Sequence, residues 1–472
     1  MSLNFLFSKK ATRVILGATC LFFLPGCTYK TIPGSQKRAT ITGPAAFTAA
    51  SQGKNRKIST GWLGAFRDKR MEQLVNESLA YNQNLKAAAY RLRAAREGTI
   101  INGAARLPSL NASTSYSRNA GERIKSSDSF GLSLNASWET DLWGRLRDLE
   151  SASRADYAGT IADFRAARLS LAANTAKAWC NLITAEQQEN LAEVTLESYK
   201  QALTVVERRY KANTLRAVDV QFGRNNVANA ERSLRERRLG RNEAARSLEL
   251  LLGRYPTASV RSSTELPFIS TEIPAGVPAG LLARRPDLQA ARANLFASAK
   301  RADAAKKNLL PDLRLTASGG SGESGFRQVF DPNFLVFSTA ASLAQSVYQG
   351  GAPTAAARAA YDRNKAAIED YARLALQAFR EVESTLDADK SLREQEFFLR
   401  QEVEQTSLAE KRAISDITMG IEGASFLEYL EAQRRAENAR AALIRLKNDR
   451  LQNRIDLHLA LGGDFSTAEG EE

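Results

Sequence analysis

Proline is missing from two long stretches of this 472-residue chain, 109–255 and 354–472. Because proline interrupts the interior of a helix, these stretches permit helices of unusual length. They are also rich in Ala, Leu, Glu, Arg and Gln, which favour helix. Apolar residues over 368–386 recur every three or four positions, as on one face of a helix. A helix over 354–419 would be about 100 Å long, so we expect long helices packed side by side.

The second half of the chain repeats the first at an offset of about 205 residues. The matched segments are Asn84-Leu85 with Asp287-Leu288, Leu107-Pro108 with Leu310-Pro311, 141–144 (DLWG) with 347–350 (VYQG), Val218-Asp219 with Leu427-Glu428, and 251–253 with 460–462. The offset drifts only between 203 and 209. We therefore expect two copies of one unit, although the length alone would suggest about three domains.

Each unit has the same predicted order: a helix, two alternating stretches, a glycine turn, a long helix and a return helix. In the first unit Phe130, Leu132 and every second residue onward to 138 fall on one face, and small polar residues fall on the other. An alternation of period two over about ten residues is typical of a strand with lipid on one side and water on the other. The predicted hairpins cover 109–138, with a polar loop at 119–128, and 313–343.

The first 26 residues resemble an export signal, with a basic start and an apolar stretch that is too short to span a bilayer as a helix. The sequence Leu24-Pro25-Gly26-Cys27 is similar to a bacterial lipobox. We therefore predict that Cys27 is acylated and tethers the chain to a membrane. The alternative is an incidental cysteine beside an ordinary cleavage site. No later segment reaches about 18 consecutive apolar residues, which leaves a peripheral lipoprotein or a chain that enters the membrane as strands.

The predicted organisation has six parts. They are a signal peptide (1–26), a lipid-anchored N-terminal segment (27–67), a first repeat (68–253), a linker (254–280), a second repeat (281–463) and an acidic tail (464–472). Four predicted strands are too few to close a barrel, since about eight is the smallest closed size. Open strand edges are not stable in lipid, so two, three or four copies would have to combine. A soluble hairpin on a helical bundle is the alternative.

The charge pattern excludes several classes of function. Lys and Arg outnumber Asp and Glu by 66 to 52, a formal net charge of +14. The basic residues are interleaved with acidic ones, which is typical of a solvated helix surface and not of a nucleic-acid binder. One His and three separated Cys argue against a zinc site. No catalytic arrangement or phosphate-binding loop stands out, so we expect no enzyme activity, no metal, no cofactor and no nucleic acid partner.

The strings DLWGRLR (141–147), VYQGG (347–351) and ALGG (460–463) resemble the outer membrane efflux factor family, the TolC-like channels, and most nearly its lipoprotein branch. The resemblance implies a mainly α fold with membrane β-strands, in a homotrimer with a 12-stranded outer membrane β-barrel and a periplasmic α-barrel. It implies a chain anchored in the lipid of the cell outer membrane and extending into the periplasm. Its partners would be a periplasmic adaptor protein and an inner membrane pump of the resistance-nodulation-division type. The implied function is passive conduction of drugs or other small toxic molecules to the outside.

The resemblance also points to site residues. The family carries acidic residues just past the second hairpin tip, where this chain has Glu428 and Glu431. Trimerisation would turn each into a ring of three carboxylates at the periplasmic aperture, a common device for cation selectivity. Asp219 holds the matching position in the first unit. Gly144 and Gly350 are predicted to let the backbone turn from strand to helix.

Two features beside these sites bear on the closed state and on membrane depth. The positions opposite Asp219 carry Met419 and Ala424, where some relatives have Tyr and Arg, so the usual lock between the helices is not expected. Trp138 and Trp143 flank the junction of strand and helix and are predicted to lie at the bilayer interface.

Two functions other than drug efflux stay open from the residues alone. One is an outer membrane duct of a type I protein secretion system. The other is a periplasmic coiled-coil lipoprotein without a pore. The lipobox favours drug efflux over protein secretion.

Overall fold

A computed structural model of the chain describes residues 33–37, 47, 61–262, 265–269, 278–324, 326–327, 330–421 and 425–463. The predicted signal peptide, Cys27, Ala424 and the acidic tail lie outside these residues. In the described part of the chain, no helix has an apolar stretch long enough to cross a membrane.

The helices and strands follow the same order in both halves of the chain. The first half has α1 (Lys69–Tyr81), α2 (Gln83–Ala104), β1 (Ser109–Gly121), β2 (Ile124–Thr140), α3 (Arg145–Lys211) and α4 (Ala217–Leu251). The second has α5 (Pro278–Arg284), α6 (Pro286–Lys307), β3 (Asp312–Glu323), β4 (Val336–Ala344), α7 (Ala352–Met419) and α8 (Phe426–Ala460). The long helices have 67 and 68 residues and the return helices 35 each. The predicted mainly α fold with a few strands is confirmed.

The four strands form one antiparallel sheet in the order β1-β2-β3-β4. Two equivalent hydrogen bonds show how closely the second hairpin copies the first: Ser113 Oγ lies 2.8 Å from Ser133 Oγ, and Ser318 Oγ lies 2.6 Å from Ser338 Oγ. Both serines of the second pair follow their counterparts by 205 positions.

The first hairpin is longer than the sequence predicts. The predicted polar loop at 119–128 is wrong for most of its length, because pairing between β1 and β2 continues outward to Gly121 and Ile124. The turn between the strands consists of Glu122 and Arg123. Serine, asparagine and glycine are typical of loops, but they also suit a strand whose side chains face water on one side.

The chain contains two compact units, and each combines segments from both halves. The described part of the first covers 33–37, 91–162 and 290–373 and includes the whole sheet. Small side chains pack between its helices, as where Ala152 and Ala155 contact Ala297.

The described part of the second unit covers 47, 61–90, 163–262, 265–269, 278–289, 374–421 and 425–463. Its main core gathers large side chains, among them Trp62, Trp179, Leu248 and Ile455. The Trp179 indole donates to Asp68, the residue that also caps the N-terminus of α1. The cap therefore ties the start of α1 to the core of the second unit.

Candidate functional site

The sheet has one apolar face and one polar face. Residues on the apolar face include Leu110, Tyr116, Leu132, Leu134, Trp138, Leu313, Leu315, Phe337 and Leu343. The polar face carries Asn111, Ser113, Ser133, Asn135, Thr316 and Ser318. The predicted alternation is therefore present in both hairpins. Leu134 is 48% exposed and Phe337 77% exposed in the single chain. Apolar side chains that are exposed across a whole face of a sheet require an apolar environment such as lipid.

Both outer edges of the described sheet are unpaired, since β1 pairs only with β2 and β4 only with β3. With four antiparallel strands, β1 and β4 run in opposite directions. The free edge of β4 could therefore pair with β1 of another copy and keep the sheet antiparallel. Repetition of that contact leads to a closed ring of identical subunits.

The strand-to-helix corner of the first hairpin is built around Gly144, which has φ +74°. The Asp141 carboxylate accepts hydrogen bonds from the backbone N–H groups of Leu146 and Arg147, at 2.9 and 2.8 Å, and so caps α3. An alanine Cβ at Gly144 would lie 3.3 Å from the Lys307 Nζ atom.

The corresponding glycine of the second hairpin, Gly350, has φ +59°, and an added Cβ there meets no atom within 4 Å. The structure thus places both predicted glycines between strand and long helix. Only the first has a crowded environment.

A buried carboxylate joins α3 to α6 at the first corner. Asp148 accepts hydrogen bonds from Lys300 at 2.7 Å and Lys307 at 2.6 Å, and its side chain is 6% exposed. Burial alone would raise the pKa of the Asp148 carboxyl, but the hydrogen bonds and charges of the two lysines outweigh burial and hold that pKa below its ordinary value. The corner therefore depends on an ionised Asp148.

The two tryptophans beside the corner are half exposed and tied to the backbone. The Trp138 indole donates to the Arg106 carbonyl at 2.9 Å, and the Trp143 indole donates to the Pro311 carbonyl at 2.6 Å. An apolar ring left open with its N–H satisfied is the arrangement expected at a bilayer interface. Their membrane depth stays a prediction.

The two hairpin tips pack against each other through a small core of their own. It contains Ala202, Val206, Val220, Ile417, Phe426 and Tyr429, contributed by α3, α4, α7 and α8. Gly223 lets α4 come close, because a Cβ at that position would lie 2.9 Å from the Leu203 Cδ1 atom. Apolar packing and the hydrogen bond that Gln433 Nε2 donates to Ser198 Oγ at 2.9 Å join the two hairpins near their tips.

Asp219 is 5% exposed and caps its own helix. The Arg216 backbone N–H donates to its carboxylate at 3.1 Å, and the Arg216 guanidinium lies 3.5 Å away. These local contacts fix the start of α4. The predicted aperture role of Asp219 stays a prediction.

Glu428 and Glu431 differ in their surroundings. Glu428 is exposed, and no ion pair with another described residue involves it. Glu431 pairs with Arg435 at 2.7 Å and Arg434 at 2.9 Å, and these hydrogen bonds hold the pKa of Glu431 below its ordinary value. The two arginines were not among the predicted site residues, although their spacing of three and four positions from Glu431 was a readable signal.

No group of His, Cys, Asp and Glu among the described residues is arranged to hold a metal ion. Cys180, fully buried, has a pKa raised to about 12 by burial and by the charge of Asp68, which makes it an inert core residue.

Known proteins resemble this chain over nearly its whole length. The sequence profile described as outer membrane efflux protein matches residues 74–254 and 277–463. The chain is 31% identical to the outer membrane protein OprJ of Pseudomonas aeruginosa, over 88% of this chain and 89% of OprJ. It is 27% identical to the cation efflux system protein CusC of Escherichia coli K12, over 93% of this chain and 97% of CusC.

A solved structure shares the fold. The open state of the Neisseria gonorrhoeae MtrE outer membrane channel matches with a TM-score of 0.80 and 25% identity, over 92% of this chain and 99% of that one. The predicted efflux function and outer membrane location are confirmed, and the chain belongs to the outer membrane efflux protein family.

Proposed function

We propose that three copies of this chain form a passive outer membrane channel of a tripartite efflux system. Three four-stranded sheets give a 12-stranded β-barrel, and the long helices of three copies line a periplasmic α-barrel. A periplasmic adaptor and an inner membrane pump of the resistance-nodulation-division type deliver the substrate. The chain supplies the duct, with no catalysis and no cofactor of its own.

The observation that carries this proposal is the four-stranded sheet with one apolar face and two unpaired edges. Four strands cannot enclose a lumen, and an unpaired edge in hydrocarbon leaves backbone polar groups without partners. Copies joined edge to edge remove both problems at once. The apolar face then meets lipid, and the serine, asparagine and threonine side chains line the water-filled lumen.

The substrates belong to the class of small molecules and ions. The names of related proteins refer to cation efflux, pyoverdine export and toluene efflux. Most side chains on the polar face of the sheet are small and neutral, and the charged residues Glu139 and Arg314 lie opposite each other there. We therefore propose that selection of the substrate rests with the pump.

The periplasmic end of the channel is formed by the hairpin tips. Glu428 is the residue we propose for the acidic ring at the aperture, with a weaker contribution from Glu431, whose charge is offset by two arginines. The turn at Asn213 and Thr214, where Asn213 has φ +59°, and the turn at Gly420 offer the surface for the adaptor. Acylation of Cys27 anchors each copy beside the barrel.

Matched substitutions on the two sheet faces test the channel proposal. Leu134→Lys puts a charge on the lipid face, which costs about 2–4 kcal/mol per copy near the middle of a bilayer. Asn135→Lys puts the same charge on the lumen face, where water solvates it. In planar bilayers the unchanged protein and Asn135→Lys should form conducting channels, whereas Leu134→Lys should fail to insert.

Conductance by Leu134→Lys equal to that of Asn135→Lys would contradict the assignment of the faces. Absence of any conductance from the unchanged full-length protein would contradict the channel itself.

A further inference from the structure

The duplication predicts how neighbouring copies join, residue by residue. Within one chain, β2 of the first hairpin pairs with β3 of the second. Each hairpin is the image of the other at a constant offset of 205, as the Ser113–Ser133 and Ser318–Ser338 pairs show. By this offset β4 corresponds to β2, and β1 corresponds to β3. The junction between copies joins β4 of one copy to β1 of the next. We propose that this junction copies the β2–β3 register, an inference that rests on the proposed ring of copies.

Each β2–β3 pair within the chain gives one pair at the junction between copies. Leu132 pairs with Ser321 within the chain. Adding 205 to the first number and subtracting 205 from the second places Phe337 of one copy opposite Tyr116 of the next. The other apolar-face pairs obtained in this way are Thr339 with Thr114, Ala341 with Ala112, and Leu343 with Leu110. The polar-face pairs are Val336 with Ser117, Ser338 with Ser115, Ala340 with Ser113, and Ser342 with Asn111.

The side chains support this register independently of the offset. Aromatic faces aromatic, threonine faces threonine, alanine faces alanine and leucine faces leucine along the lipid side. Such like pairs pack well across neighbouring strands. None of these residues was used to derive the offset, which rests on the serine pairs and the β2–β3 ladder.

Other registers fit worse. A slip by one residue would set Phe337 opposite Ser115 or Ser117 and turn one strand's apolar side chains into the lumen. A slip by two keeps the faces but sets Phe337 opposite Thr114 or Arg118. The junction therefore has one register in which both faces and the side-chain sizes agree.

Cysteine pairs in the full-length protein test the register. On register are Ser338→Cys with Ser115→Cys on the polar face, and Thr339→Cys with Thr114→Cys on the apolar face. Both faces are needed because the closer, non-hydrogen-bonded pairs of an antiparallel ladder all lie on one face. The matched controls, Ser338→Cys with Ser113→Cys or Ser117→Cys, are two residues off register.

The distance between the two Cα atoms sets the expected difference in cross-linking between the on-register pairs and the controls. Directly opposed Cα atoms lie about 4.5–5.5 Å apart, within disulfide range, whereas a slip of two residues moves them to about 8–9 Å, beyond the limit near 7 Å. Each pair joins opposite edges of the sheet, so a disulfide can form only between copies. The unchanged protein gives the background, since Cys180 is fully buried.

After oxidation in the outer membrane, at least one on-register pair should give a covalent ring on non-reducing electrophoresis, and both controls should stay at the background level. Equal or stronger cross-linking by a control, or none by either on-register pair, would overturn the register. A third on-register pair, Ser342→Cys with Asn111→Cys, replaces a variant that fails to assemble.

The size of the largest covalent species tests the proposed assembly separately, because a closed ring of three copies stops at the trimer. A covalent species larger than a trimer, formed through the on-register cysteines, would overturn the trimer and keep the register.

Discussion

Replacing Asp148 with asparagine should weaken the corner where the first strand pair meets the long helix. The Asp148 carboxylate joins α3 to Lys300 and Lys307 on α6, and its side chain is only 6% exposed. Asparagine keeps the shape but removes the charge, so two ammonium groups lose their partner. We expect the Asp148→Asn protein to assemble but to unfold at lower denaturant.

The magnitude follows from the burial of the three groups. Loss of one partner from a buried pair costs about 3–5 kcal/mol. The lysine side chains are 19% and 26% exposed and can regain part of their hydration. We therefore expect a loss of about 2–3 kcal/mol. The control Asp370→Asn breaks the pair with Arg373, whose side chains are 70% and 69% exposed, and should cost at most about 0.5 kcal/mol.

Urea unfolding of the detergent-solubilised proteins, followed by helix circular dichroism, measures the difference. The folded-state pKa of Asp148 lies below its ordinary value of 3.8, so its ion pairs stabilise the fold fully at neutral pH and are lost as the pH falls through the folded-state pKa. The gap between Asp148→Asn and the unchanged protein should persist from pH 7 to pH 5 and shrink below pH 3.8. Equal midpoints for Asp148→Asn and Asp370→Asn at pH 7 would refute the reasoning.

The remaining predictions concern the other site residues. Gly144→Ala should lower the melting temperature more than Gly350→Ala, because both introduce left-handed strain of about 1–2 kcal/mol but only the first crowds a lysine; equal shifts would contradict the crowding. Glu428→Gln should reduce the cation preference of the bilayer current more than Glu431→Gln, whose charge is already offset, and unchanged preference in both would remove them from the aperture. Cys27→Ser should abolish palmitate labelling, and labelling that persists would exclude Cys27.

The helices and strand faces could be predicted because they depend on local rules. The absence of proline predicts a helix over 354–419, and α7 spans Ala352–Met419. The alternation of apolar and polar residues predicts the faces of both hairpins, because side chains in a strand point to opposite sides in turn. The end of the first hairpin was wrong, since residues that suit a loop also suit a strand with one face in water. The single helix predicted at the start of each unit was also wrong, because two helices stand there in each half.

Contacts between distant parts of the chain could not be predicted. Nothing in the sequence connects Asp148 with Lys300, 152 positions away, because the contact depends on how α3 packs against α6. The ion pairs of Glu431 with two arginines are local contacts within one helix and could have been predicted. Arg434 and Arg435 follow at helical spacing, so attention to spacing would have shown that one of the two aperture carboxylates is offset.

Native mass spectrometry of the detergent-extracted full-length protein tests the central claim most directly. If four strands per copy complete a barrel only with two identical neighbours, the intact particle has three times the mass of one processed chain and no stable single copy coexists with it. A folded, stable monomer, with the apolar side chains of β2 and β4 left without lipid, would contradict the account.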